Sequence, residues 1–182
     1  MRKINKIILH CSASDNPKHD DIRVIDQWHE AREWESPSGV HCGYHYFINK
    51  SGIIQEGRPL SEVGSHVKGE NQDSIGICLS GNYQFYKGQV LALRRLIGDL
   101  RLEFGDLPLE PHKKYNPGET CPNISMTYVR SMIPPYVASR KDLAPLEDKK
   151  TEAKKKPRAA APKKIKGKAI EAEKAKADKL AK

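Results

Sequence analysis

The 182-residue chain has no apolar run approaching the roughly 18 residues that a membrane span needs. Its N-terminus offers only Ile7-Ile8-Leu9 before a histidine and a cysteine, so neither a signal peptide nor an anchor is expected. It has no CxxC pair: Cys11, Cys42, Cys78 and Cys121 lie far apart, which fits a chain made in a reducing compartment and directs attention to single-thiol or metal chemistry. From Asp142 onward it has no aromatic residue, and Pro145, Pro157 and Pro162 interrupt the remaining Lys/Ala/Glu pattern. A segment of that composition cannot bury enough apolar surface to fold, so residues 137–182 are expected to be a disordered basic tail behind a domain of residues 1–136.

The charge follows the same division. Of 32 basic and 23 acidic side chains, 16 basic and 7 acidic lie between Arg140 and Lys182, which places the whole net charge of +9 in the tail and leaves residues 1–139 neutral. A nucleic-acid-binding domain is therefore not the reading of this basic protein, because the part able to fold has no positive excess. The clusters Lys154-Lys155-Lys156 and Lys163-Lys164 suit anionic envelope polymers or lipid, at up to about 1 kcal/mol per basic residue near such a surface, with a solubilising extension or nucleic-acid binding through the same charges as the alternatives.

Within the domain, Lys6 to His10 reads as a buried strand with His10 at its end. Asp20 or Asp21 caps a helix whose Ile22, Ile25, Trp28 and Trp34 recur at near-helical spacing, ending before Ser36. Tyr44–Asn49 and Ile53–Glu56 flank Lys50-Ser51-Gly52 as a hairpin, and Ser74–Leu79 alternates as a further strand. Gln89–Phe104 places Leu93, Leu96, Ile97 and Leu100 on one helical face, and Met126–Ile133 is a last short helix. The expected fold is a mixed α+β domain with a single central mixed sheet flanked by helices.

His10 at a strand end, with His112 and Cys121 close together in a Pro-rich segment, supplies two imidazoles and a thiolate. Three protein ligands beside an open position make the catalytic zinc pattern, because the open position holds a water whose pKa falls toward about 7. His19, His29 and His41 show no partner pattern, while His66 sits in the Gly-rich loop Gly64–Gly69.

Ile8-Leu9-His10-Cys11-Ser12-Ala13-Ser14, Gln27-Trp28-His29, Gly43-Tyr44-His45-Tyr46-Phe47-Ile48, Gly57-Arg58, Gly64-Ser65-His66-Val67-Lys68-Gly69 with Asn71, Ser74–Leu79 and Cys121-Pro122 occur in that order. Together they resemble the zinc N-acetylmuramoyl-L-alanine amidases of short-tailed coliphage type, within the superfamily of the peptidoglycan recognition proteins. The resemblance covers residues 4–133 and implies Zn2+ held by His10, His112 and Cys121, with Tyr44 beside the metal site. It also implies that His66, Asn71 and Ser74 line the substrate groove or support the loop beside it. Many members carry a lysine two residues before the cysteine ligand; here that position is Glu119, which could serve only as a proton-transfer group. The implied role is a monomeric phage endolysin that acts on peptidoglycan, accumulates in the host cytoplasm and reaches the wall after holin-type release. A peptidoglycan-binding module without hydrolysis is the alternative, and the coliphage likeness also implies a contact with phage RNA polymerase.

Overall fold

In the computed structural model, residues 2–133 and 135–136 are described, so the tail expected over residues 137–182 lies outside the described residues. Strand β1 (Lys6–Cys11) is followed by helix α1 (Ile22–Glu30), the hairpin β2 (Tyr46–Ile48) and β3 (Ile54–Glu56), strand β4 (Ser74–Leu79), helix α2 (Lys87–Phe104), strand β5 (Leu109–Pro111) and helix α3 (Met126–Met132). The five strands form one sheet in the order β3-β2-β4-β1-β5. β1 runs parallel to both β4 and β5, β2 is parallel to β4, and only the hairpin is antiparallel. This is the mixed α+β sheet that the sequence implies.

Alternation along the strands sorts side chains to two faces. Ile7 and Leu9 of β1 and Ile75, Ile77 and Leu79 of β4 pack with Val90, Leu93, Ile97 and Leu100 of α2 and Val129 of α3 in the larger core. On the opposite face Cys78 and Phe47 meet Ile25 of α1 and Cys42 in a smaller one. Buried Gln89 ties α2 to the sheet: its Nε2 donates to the carbonyls of Ile48 and Ser80, while its Oε1 accepts from the Tyr86 amide. Asp21 caps α1 by accepting from the Arg23 amide, and the neighbouring Asp20 accepts from Lys50 N–H in the hairpin turn. In that turn Gly52 has φ +80, and a Cβ there would lie 2.8 Å from the Gly88 carbonyl oxygen, so a side chain meets both backbone strain and a clash.

The hairpin strands, α2 and α3 begin or end one or two residues from the expected bounds, and three differences are larger or bear on the site. α1 ends at Glu30 rather than near Ser36, because the amides of Arg32 and Trp34 both donate to the His29 carbonyl and Glu33 turns left-handed at φ 59. β1 continues one residue past His10 to Cys11. β5 was not expected at all, and it is the strand that delivers His112.

Candidate metal centre

His10 stands near the carboxyl end of the interior strand β1, on the face shared with Gly76 and Cys78 of β4, and is 1% exposed. β5 pairs with β1 through Leu9 and Pro111, so the chain leaving β5 places His112 beside His10, with ring centroids 4.6 Å apart. The segment after His112 loops back: Lys113 N–H donates to the Cys121 carbonyl at 2.8 Å, which sets the thiol against the end of β1. Cys121 Sγ lies 4.0 Å from His10 Nδ1, and the donor atoms of His10, His112 and Cys121 all fall within 4.8 Å of one another. No other such group of three occurs among the described residues. Zinc bonds of about 2.0–2.3 Å in tetrahedral geometry separate ligand atoms by about 3.5 Å, so side-chain adjustments of about 1 Å suffice to close this set around one ion. Two imidazoles and a thiol fit zinc.

The protonation states of the two histidines agree with that fit. Burial holds His10 well below the usual histidine range, and it lowers His112 as well, against the opposing charge of Glu119. Both rings are thus neutral, the form that binds a metal. The Cys11 amide donates to Cys121 Sγ at 3.2 Å, and the two thiols sit 3.9 Å apart. The hydrogen bond between them lowers Cys11 to about 6 and, with burial, holds Cys121 far above the usual thiol range.

Tyr44 lies 5.0 Å, centroid to centroid, from His10. Burial, reinforced by the Cys78 and Cys121 thiols, pushes its phenol well above 10, so it stays a neutral donor. Two residues with no role in the sequence reading hold the segment that carries it. His29 is buried, accepts the Gly43 amide at Nδ1 and stacks 5.5 Å from Tyr44. Arg58 is also buried and donates to the carbonyls of Cys42, Val63 and Trp34. The signal for His29 was its position four residues after Ile25, on the buried face of α1.

His66 lies against His10, with His10 Nε2 to His66 Nδ1 at 3.1 Å. Asn71 supports the His66 loop, its Oδ1 accepting from the amides of His66 and Val67. Ser74 is fully buried, contacts His66 Nε2 at 3.4 Å and donates to the Glu70 carbonyl at 2.6 Å. Glu119 is exposed, its amide donating to the Asn116 carbonyl, and its carboxylate acts electrostatically on His112. Lys114 is engaged with Glu110, and the Lys113 side chain is exposed.

The family model for N-acetylmuramoyl-L-alanine amidases matches residues 1–124. The endolysin of Klebsiella phage KP32 is 32% identical over 133 residues, covering 69% of this chain and 84% of the relative. The endolysin of Escherichia phage T7 is 33% identical over 128 residues, covering 66% and 81%. Among solved structures, the N-acetylmuramoyl-L-alanine amidase LysC from Clostridium intestinale superposes with a TM-score of 0.63 at 29% identity, over 71% of this chain and 85% of that one. The three candidate metal-site residues, His10, His112 and Cys121, all fall within the matched residues 1–124, and the chain belongs to the N-acetylmuramoyl-L-alanine amidase family.

Proposed function

We propose that the chain is a zinc-dependent amidase that hydrolyses the bond between N-acetylmuramic acid and L-alanine in bacterial peptidoglycan, and that it serves as a phage endolysin. The observation that carries this reading is the convergence of His10, His112 and Cys121 inside the matched region. Those three residues would hold the ion, and the chemistry zinc supplies in such a centre is Lewis acidity and the activation of water. Tyr44, kept neutral by burial, donates to the oxygen on which charge develops as the amide carbonyl is attacked. Glu119, at the exposed rim beside His112, takes the proton of the attacking water and returns it to the leaving nitrogen. Because Cys121 is present with both histidines, hydrolysis is favoured over a binding module that only recognises the wall, for which Glu119 in place of a lysine is the main support.

As an endolysin the enzyme acts on the wall after holin-type release from the host cytoplasm. The folded unit is residues 1–136, and the basic residues 137–182 draw it to anionic envelope polymers, an attraction that salt screens.

The test is digestion of purified Gram-negative sacculi with mass spectrometry of the released material, with chelator and with zinc restored. Stem peptides that begin with L-alanine, lost with chelator and recovered with zinc, are expected. Tight binding to the sacculi without released peptide would contradict the proposal in favour of recognition alone.

A further inference from the structure

A metal-binding imidazole must present a bare nitrogen to the ion and carry its proton on the other. His10 Nδ1 faces Cys121, so the proton belongs on Nε2, and Nε2 lies 3.1 Å from His66 Nδ1. His66 must then accept at Nδ1 and carry its own proton on Nε2, which faces Ser74 Oγ at 3.4 Å. Ser74 is free to accept there because its hydroxyl hydrogen is committed to the Glu70 carbonyl at 2.6 Å. One assignment of protons satisfies all three links, and every group in the series is neutral, so no buried charge is left to compensate.

The backbone leaves the His66 ring little alternative. A Cβ at Gly76 would lie 2.6 Å from the ring and one at Gly64 2.5 Å, so the imidazole occupies a slot that two missing side chains create. The His66 amide is pinned by Asn71 Oδ1, which prevents the loop from sliding along the slot. Ser74 and Gly76 project from the same face of β4 as the strand runs toward the position opposite His10, which aligns the series with the strand.

We propose that His66 is a positioning residue that fixes the tautomer and orientation of His10 for zinc, and that Ser74 and the Glu70 carbonyl fix His66 in turn. Metal-binding histidines usually hand their second N–H directly to a carboxylate or carbonyl; here the carbonyl is reached through an imidazole and a hydroxyl. The inference rests on the assignment of His10 as a metal-binding residue and gives His66 and Ser74 a role in metal affinity rather than in contact with the glycopeptide.

Four variants of the full chain test it: His66→Phe fills the slot without an acceptor, His66→Asn retains an acceptor near the Nδ1 position, Ser74→Ala removes the outer link, and His10→Ala is the control. Two readouts are needed. One is the zinc dissociation constant by competition with a chromophoric chelator; the other is 15N-resolved NMR of the His10 ring in the metal-free protein, which reports the nitrogen that carries the proton. The expected result is a single Nε2–H tautomer in the parent chain. His66→Phe should weaken zinc binding roughly 10–100-fold and mix the tautomers. His66→Asn should stay within about threefold of the parent, and Ser74→Ala should fall between the two. Parent-like affinity and an unmixed tautomer in both His66→Phe and Ser74→Ala would overturn the proposal, as would equal losses in His66→Phe and His66→Asn. If His10→Ala itself binds zinc as tightly as the parent, the metal assignment fails and the inference falls with it.

Discussion

Tyr44 owes its place to its neighbours. The His29 ring and the Arg58 guanidinium fix the backbone around Cys42 and Gly43, and the phenol is thereby set against His10 with its proton retained. Tyr44→Phe removes one hydrogen-bond donor while leaving the ring and the three metal-site residues in place. The expected outcome is full zinc content with kcat lowered about 10²–10³-fold, the cost of losing one donor to a developing oxyanion; unchanged turnover on sacculi would remove the phenol from the reaction. Glu119→Gln keeps the size of the side chain but abolishes proton transfer, so turnover should fall by about 10²-fold or more at neutral pH with zinc retained. A rate equal to the parent's would reduce Glu119 to a solvated rim charge.

The elements around the centre differ in how plainly the sequence announces them. β1, β4 and α2 were legible because Ile7-Ile8-Leu9, the Ser74–Leu79 alternation and the Leu93/Leu96/Ile97/Leu100 stripe follow the periods that burial imposes. β5 was not, because Leu109-Glu110-Pro111 carries one buried residue and a proline, which an edge strand tolerates and a pattern search passes over. The metal-site residues could be named from family likeness, yet their convergence depends on that unannounced strand. Cys11 was equally silent: nothing in the spacing of four lone cysteines shows that its amide and thiol both meet Cys121. The Gly-rich loop marked His66 as a site residue but gave no sign of its face, which depends on Gly64 and Gly76 being close in space. Gly76→Ala tests that packing: with the new methyl 2.6 Å from the imidazole, unfolding in urea should show a loss of about 1–3 kcal/mol. A variant as stable as the parent would mean that the slot is loose.

At the scale of the molecule, folding is linked to the protonation of buried histidines. Burial lowers His29 to about 4 and His45 to about 3, against about 6.5 in the unfolded chain. Their neutral forms are the folded forms, so their contribution is complete above pH 6.5 and is lost as pH falls toward the folded values, because the unfolded chain binds the extra protons. In that window each histidine contributes a slope of about 1.4 kcal/mol per pH unit. Urea midpoints measured with chelator present should therefore decline steadily from pH 7 to pH 5; a flat profile would show that these rings are not buried neutral. Ending the chain after Tyr136 removes the segment with all the net positive charge and should leave hydrolysis of sacculi intact at moderate salt, while weakening attachment to anionic envelopes at low salt. The centre itself is tested most directly by zinc content measured alongside peptide release for the parent chain and Cys121→Ser. One zinc per chain in the parent, with metal and release both lost in the variant, is the predicted result; a variant that releases L-alanine-terminated peptides at the parental rate without bound zinc would contradict the assignment of His10, His112 and Cys121 as the catalytic metal site.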